Sequence, residues 1–153
     1  MIVHGGLFTQ DNVTLDDLRK IDRFREPPDS GLMTDMLWAD PCKENGRQPS
    51  KRGISIGFGP DIAKKFLDQN KLGFYQIFTK NEFFLKIIFF LELLVRSHEM
   101  KMEGYEIEAD GRVITVFSAP NYCDQMKNKG AFIRFKGKDM KPMIKTFDAV
   151  VKI

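Results

Sequence analysis

The chain has 153 residues, 42% of them hydrophobic and 29% charged, with a formal net charge of +3. That is enough chain for one domain with a buried core, and its scattered lysines and arginines do not form the clustered positive stripe that nucleic acid binding requires. Two cysteines, Cys42 and Cys123, stand in no metal-type spacing, and with no apolar leader after Met1 the reading is a reduced, intracellular protein without nucleic acid or membrane as its main partner.

Thr14-Leu15-Asp16-Asp17 has the form of a helix start: a capping threonine, acids in the first turn, and Leu15, Leu18 and Ile21 on one face. Glu26-Pro27-Pro28-Asp29-Ser30-Gly31 breaks that helix, and a second short one is predicted near Leu32 to Trp38. Residues 39–50 read as polar loop. Gly53-Ile54-Ser55-Ile56 reads as a short strand, and Pro60 suits the first position of a helix running to about Asn70.

The last third changes character. Tyr105–Glu108 and Val113–Ser118 flank Ala109-Asp110-Gly111, a hairpin signal. A second pair, Ala131–Phe135 and about Met143–Val150, flanks Lys136-Gly137-Lys138-Asp139. Helices first and hairpins later imply an α+β domain with a sheet core. Residues 73–91, GFYQIFTKNEFFLKIIFFL, stand apart because they gather Phe74, Phe78, Phe83, Phe84, Phe89 and Phe90. The apolar run from Phe83 to Val95, broken by Lys86 and Glu92, is too short for a bilayer of about 30 Å. A buried helix or a membrane-surface segment fits it.

Few side chains suggest chemistry. The two histidines, His4 and His98, each follow a short apolar approach and could stand at the C-terminal ends of strands, where ligands collect in α/β folds; a purely structural role is the other reading. Arg52 precedes a strand and has the planar fork that suits phosphate, or belongs to a solvated basic turn. Tyr122, in a loop after a strand, could donate to a substrate oxygen or pack over the sheet edge.

Taken in order, His4-Gly5-Gly6-Leu7, Leu37-Trp38-Ala39-Asp40-Pro41, Arg52-Gly53-Ile54-Ser55 with Phe58-Gly59, Arg96-Ser97-His98-Glu99, Gly104-Tyr105 and Phe117-Ser118-Ala119-Pro120-Asn121-Tyr122-Cys123 closely resemble the C-terminal half of the catalytic domain of the phosphoprotein phosphatases, the metal-dependent serine/threonine phosphatases. PPDSG, KRGIS, RSHE and CDQM look most like the type 5 branch. The resemblance implies a calcineurin-like metallophosphoesterase β-sandwich flanked by helices, with residues 1–153 forming its C-terminal part around an atypical insertion at 73–91. It implies two divalent ions, manganese or iron with zinc, activating a water that attacks phosphorus. His4 and His98 would ligate one ion, Arg52 would grip the phosphate of phosphoserine or phosphothreonine in a protein substrate, and Tyr122 would shape the substrate groove. Regulatory proteins are further expected partners.

The family's other ligands come from motifs of the form Gly-Asp-x-His, Gly-Asp-x-x-Asp-Arg-Gly and Gly-Asn-His-Glu. None occurs in the sequence, so the resemblance implies a phosphatase part inactive and marginally stable alone, or a non-catalytic interaction or decoy module. Removing 73–91 would restore the family's direct join of helix to strand, and most of those residues are Phe, Ile, Leu, Lys, Asn or Tyr. They read as a translated intron, with Met1 a false start in a longer gene, or as a genuine apolar insertion.

Overall fold

The computed structural model describes residues 1–70, 93–137 and 140–150, together with the backbone of two strands between the first two stretches. Helix α1 (Leu15–Arg19) opens as expected. Thr14 Oγ1 accepts from the Asp17 N–H at 3.2 Å, and the Asp17 carboxylate accepts in return from the Thr14 backbone, satisfying two amides that a helix start leaves open. Helix α2 spans Leu32–Trp38. Two small strands follow, β1 (Asp40–Pro41) and β2 (Arg47–Pro49), inside the stretch expected to be all loop. Strand β3 covers Ile56–Phe58, not 53–56. The reason is backbone geometry: Gly53 at φ 73° and Ser55 at φ 58° are left-handed, a conformation no strand accepts. Helix α3 (Pro60–Gln69) starts on proline and buries Ala63, Phe66 and Leu67.

Strands β4 (Phe74–Ile77) and β5 (Lys86–Phe89) pair antiparallel, so their backbone replaces the helix considered for this stretch. The side chains of 73–91, and with them the membrane-surface and insertion readings, lie outside the described residues. The main sheet is built from β6 (Leu94–Arg96), β7 (Tyr105–Glu108) and β8 (Val113–Val116), in the order β6-β8-β7. The N-terminus adds a parallel edge: the Val3 N–H donates to the Val95 carbonyl at 3.0 Å and the Ser97 N–H to the His4 carbonyl at 3.0 Å. The hairpin of β9 (Gly130–Phe135) and β10 (Pro142–Phe147) completes the strands, and β10 stops short of the expected Val150.

Alternation along the central strands explains the layering. On one face, Leu94 and Val113 join Leu7, Phe8, Phe58, Phe66 and Leu67 beneath α3. On the other, Leu93, Val95 and Ile114 meet Ile133, Phe135 and Ile144 of the β9–β10 hairpin. The β9–β10 hairpin thus covers the second face of the central strands, while Phe132 and Ile107 remain about half exposed (both 52%) on outward faces.

Paired glycines set how closely this sheet approaches α2. The Gly5 N–H donates to the Met36 carbonyl at 2.6 Å, and a methyl group at Gly5 would lie 2.5 Å from Leu37 C and Trp38 N. Both obstacles are backbone and cannot rotate away. Gly5→Ala is expected to lower the free energy of unfolding by about 1–3 kcal/mol, read as a shift of the urea midpoint; an unchanged midpoint would mean the end of α2 is free to move.

Candidate functional site

Closure of the N-terminal edge onto β6 is what brings the two histidines together. They are separated by ninety-four positions in the chain, yet His4 Nε2 and His98 Nδ1 lie 2.9 Å apart. Their rings meet edge to face at 4.7 Å, and Trp38 stands against His98 at 5.3 Å and 89°. His98 follows β6 with φ 68°, a left-handed backbone for a residue with a side chain. That strain persists only where the surroundings enforce it, and it gathers at functional sites.

Electrostatics keep His98 neutral. Burial first, then the neighbouring positive charge of Arg52, push its pKa down to about 4 against the opposing pull of Asp40. A neutral imidazole is the form that binds a metal. The nitrogen of His98 that faces His4 is Nδ1; its Nε2, on the other side of the ring, is buried with no hydrogen bond among the described residues. Two nitrogens 2.9 Å apart, each about 2.0–2.1 Å from a shared cation, would subtend roughly 90° at it. The pair thus suits two adjacent positions on one ion. Among the described residues no group of three or more His, Cys, Asp or Glu side chains could hold a metal, so the two imidazoles could supply only part of an ion's shell.

Behind the histidines runs a chain of alternating charge. Arg52 Nε donates to Asp40 Oδ2 at 2.6 Å, and Arg96 Nη2 donates to Asp40 Oδ1 at 2.7 Å. Arg96 Nη1 continues to Glu99 Oε2 at 2.7 Å, and Lys101 lies 3.6 Å from the same oxygen. Burial alone would raise the Asp40 pKa, but the hydrogen bond from Arg52 and the charge of Arg96 outweigh it and hold the carboxyl below the usual carboxylate range. The Arg52 side chain is 34% exposed whereas that of Arg96 is 0%. One arginine can therefore reach a ligand, and the other is structural. Arg96 also donates through Nε to the Gly5 carbonyl at 2.7 Å and through Nη2 to the Ala39 carbonyl at 3.3 Å, which fixes the His4 strand and the Asp40 strand to one point.

Sequence reasoning named His4, His98, Arg52 and Tyr122, and the structure brings the first two into contact with Arg52 close behind. Tyr122 stands in a separate loop, 46% exposed, its ring edge-on to Phe117 at 5.1 Å. Three further residues were missed. Asp40 and Arg96 hold Arg52 in place, and they could have been suspected from charged residues placed beside apolar strand ends. Asn128 is buried and organises the tyrosine loop: its Oδ1 accepts from the Tyr122 N–H at 2.8 Å, and its Nδ2 donates to the Ala119 and Lys129 carbonyls at 2.9 Å each. No spacing in the sequence announces that role.

Comparison with known proteins gives a consistent set of likenesses. The family model described as calcineurin-like phosphoesterase matches residues 1–79. Serine/threonine-protein phosphatase 5 of Solanum lycopersicum is 57% identical over 149 residues, covering 97% of this chain and 23% of that protein. The protein of the same name from Homo sapiens is 51% identical over 150 residues, covering 98% and 26%. Serine/threonine-protein phosphatase T of Trypanosoma brucei brucei is 55% identical over 150 residues, covering 97% and 28%. Among solved structures, a protein serine/threonine phosphatase from Saccharomyces cerevisiae superposes with a TM-score of 0.79 at 38% identity, over 99% of this chain and 45% of that one. The chain spans about a quarter of the length of the curated relatives it matches.

Proposed function

The chain belongs to the calcineurin-like phosphoesterase family and most resembles its type 5 serine/threonine phosphatases; from that premise we propose that residues 1–153 act as the C-terminal part of a metal-dependent protein serine/threonine phosphatase domain. The observation that carries the reading is the meeting of His4 Nε2 and His98 Nδ1 at 2.9 Å in front of an arginine that Asp40 holds in place.

His4 and His98 would hold a divalent ion, manganese or one of an iron and zinc pair, as two of its ligands. Bound there, the ion supplies an activated water for attack on phosphorus. The remaining work falls to the chain's own side chains. Arg52 presents a planar guanidinium already aligned by Asp40, so a phosphate can take its free N–H groups in a forked, charge-assisted contact. A fixed positive charge of this kind neutralises the transferring group without reorganising. Trp38 closes one side of His98 against solvent. Tyr122 offers an exposed phenol to a substrate oxygen from the rim. The substrates so read are proteins carrying phosphoserine or phosphothreonine, and regulatory proteins are further partners. Unpaired Cys42 and Cys123 support an intracellular setting. Among the described residues no helix is long and apolar enough to cross a membrane, and neither nucleic acid nor a membrane is needed by this reading.

The test is binding of a phosphothreonine peptide to the chain supplemented with manganese, followed by calorimetry and by phosphate release. Arg52→Ala is expected to weaken binding about 10–100-fold, the equivalent of losing charge-assisted hydrogen bonds. Release of phosphate that rises with manganese and falls in the variant would exclude a non-catalytic interaction module. Binding indifferent to both manganese and Arg52 would sink the phosphatase reading and leave that module as the account.

A further inference from the structure

Asn45-Gly46 lies in the turn between β1 and β2, and asparagine followed by glycine is a pair prone to spontaneous modification. Asparagine followed by glycine can cyclise because glycine carries no side chain to hinder attack by its backbone nitrogen. The Gly46 nitrogen loses its proton and bonds to the side-chain Cγ of Asn45. The bond from Cγ to Nδ2 breaks, and ammonia leaves with that proton. Water then opens the five-membered imide to aspartate or isoaspartate. No co-reactant besides water is required.

Here the reacting nitrogen is not free. The Gly46 N–H donates to Asp61 Oδ1 at 2.7 Å, and the Gly46 carbonyl accepts from the Gly59 N–H at 2.8 Å. Both sides of Gly46 are thus tied to the start of α3. Gly46 itself sits at φ 84°, where a residue with a side chain would be strained. The turn also lies close: a methyl group at Gly59 would come 2.8 Å from Asn45 Cα. We infer that Asn45 is a latent deamidation site held shut by Asp61. Two physical effects act in the same direction. The hydrogen bond fixes the peptide plane so that its nitrogen points at Asp61 rather than at Cγ of Asn45. The carboxylate also places negative charge beside an amide that must itself become anionic to react, and like charges disfavour that ionisation. Glu44, next in the chain, adds to the same field.

The consequence is directional. Once formed, a carboxylate at position 45 would stand between Glu44 and the Asp61 carboxylate and repel both, loosening the turn that joins β1 to β2. Deamidation is therefore slow while α3 holds the turn, and its product disfavours return of the turn to α3.

The experiment is incubation of the whole chain at mildly alkaline pH, with peptide mapping by mass spectrometry for the gain of about one mass unit at position 45 and enzymatic labelling of isoaspartate. A synthetic peptide of residues 41–50 gives the unrestrained rate. The intact chain is expected to react about tenfold more slowly than the peptide, and Asp61→Ala to recover most of that factor. Asp61→Asn keeps an acceptor but removes the charge, so it should fall between the two. Acceleration at Asn45 with the urea midpoint unchanged supports a local lock. Equal rates in chain and peptide, acceleration that merely follows a lowered midpoint, or a slower reaction in Asp61→Ala (which would make Asp61 the base that removes the proton) would each overturn it.

Discussion

Replacing Arg96 with methionine is expected to cost about 3–5 kcal/mol of folding free energy, the penalty for leaving buried partners of an ion pair uncompensated. Few single changes in this chain should cost more. The Arg96 side chain is 0% exposed and satisfies two carboxylates, Asp40 and Glu99, and two backbone carbonyls, those of Gly5 and Ala39. Burial draws the guanidinium's pKa down while Glu99 and Asp40 pull it back up, so the charge is kept by its partners. Methionine fills comparable volume and offers no donor. Lysine restores a charge but not the planar fork that reaches four acceptors, and should recover only part of the loss. The measurement is urea unfolding followed by circular dichroism. Asp40 keeps Arg52 as a partner, whereas Glu99 is left with only Lys101 at 3.6 Å, so adding Glu99→Gln to the Arg96→Met chain should return some of the stability. A loss below about 1 kcal/mol, with no recovery, would mean the network is effectively solvated and the two strands meet for other reasons.

The same residue shows where the sequence could and could not be read. Local signals translated well because their causes are local. Thr14 capped the helix it was expected to cap, α2 fell on Leu32–Trp38, and proline opened α3. Both late hairpins appeared around their turn residues. The misplaced strand at 53–56 failed for an equally local reason, a left-handed Ser55 that no composition betrays. The site was legible differently. His4 and His98 attract notice as the chain's only two histidines, but their meeting depends on a parallel ladder between the first residues and β6. Resemblance to a family supplied that pairing; periodicity could not. Asp40 and Arg96 were hard to single out because they meet across fifty-six positions of chain, and Asn128 because its loop contacts, though local, follow no recognisable spacing. A charged residue in a sequence looks the same whether it is solvated or clamped by four acceptors.

If His4 and His98 share a cation, metal should stabilise the fold and either histidine's loss should abolish that effect. With manganese or zinc at a hundred times its dissociation constant, binding to the native state alone raises the unfolding free energy by about 2.7 kcal/mol. His4→Ala and His98→Ala should each remove nearly all of it, since one imidazole retains neither the second bond nor the angle that the pair provides. The double variant should then lose no more than the single ones, because two ligands of one ion act as a unit. The baseline without metal separates this from ordinary packing. His98 has a buried Nε2 with no partner among the described residues and a left-handed backbone, both of which cost stability. His98→Gly is therefore expected to leave the metal-free fold little changed or slightly firmer while eliminating the response to metal. A structural histidine would behave in the opposite way, with a large loss before metal is added and an unchanged increment after. That contrast decides between the two readings of His98 with no assay of phosphate chemistry, because a metal ligand and a packing residue affect the metal-free and the metal-bound fold in opposite ways.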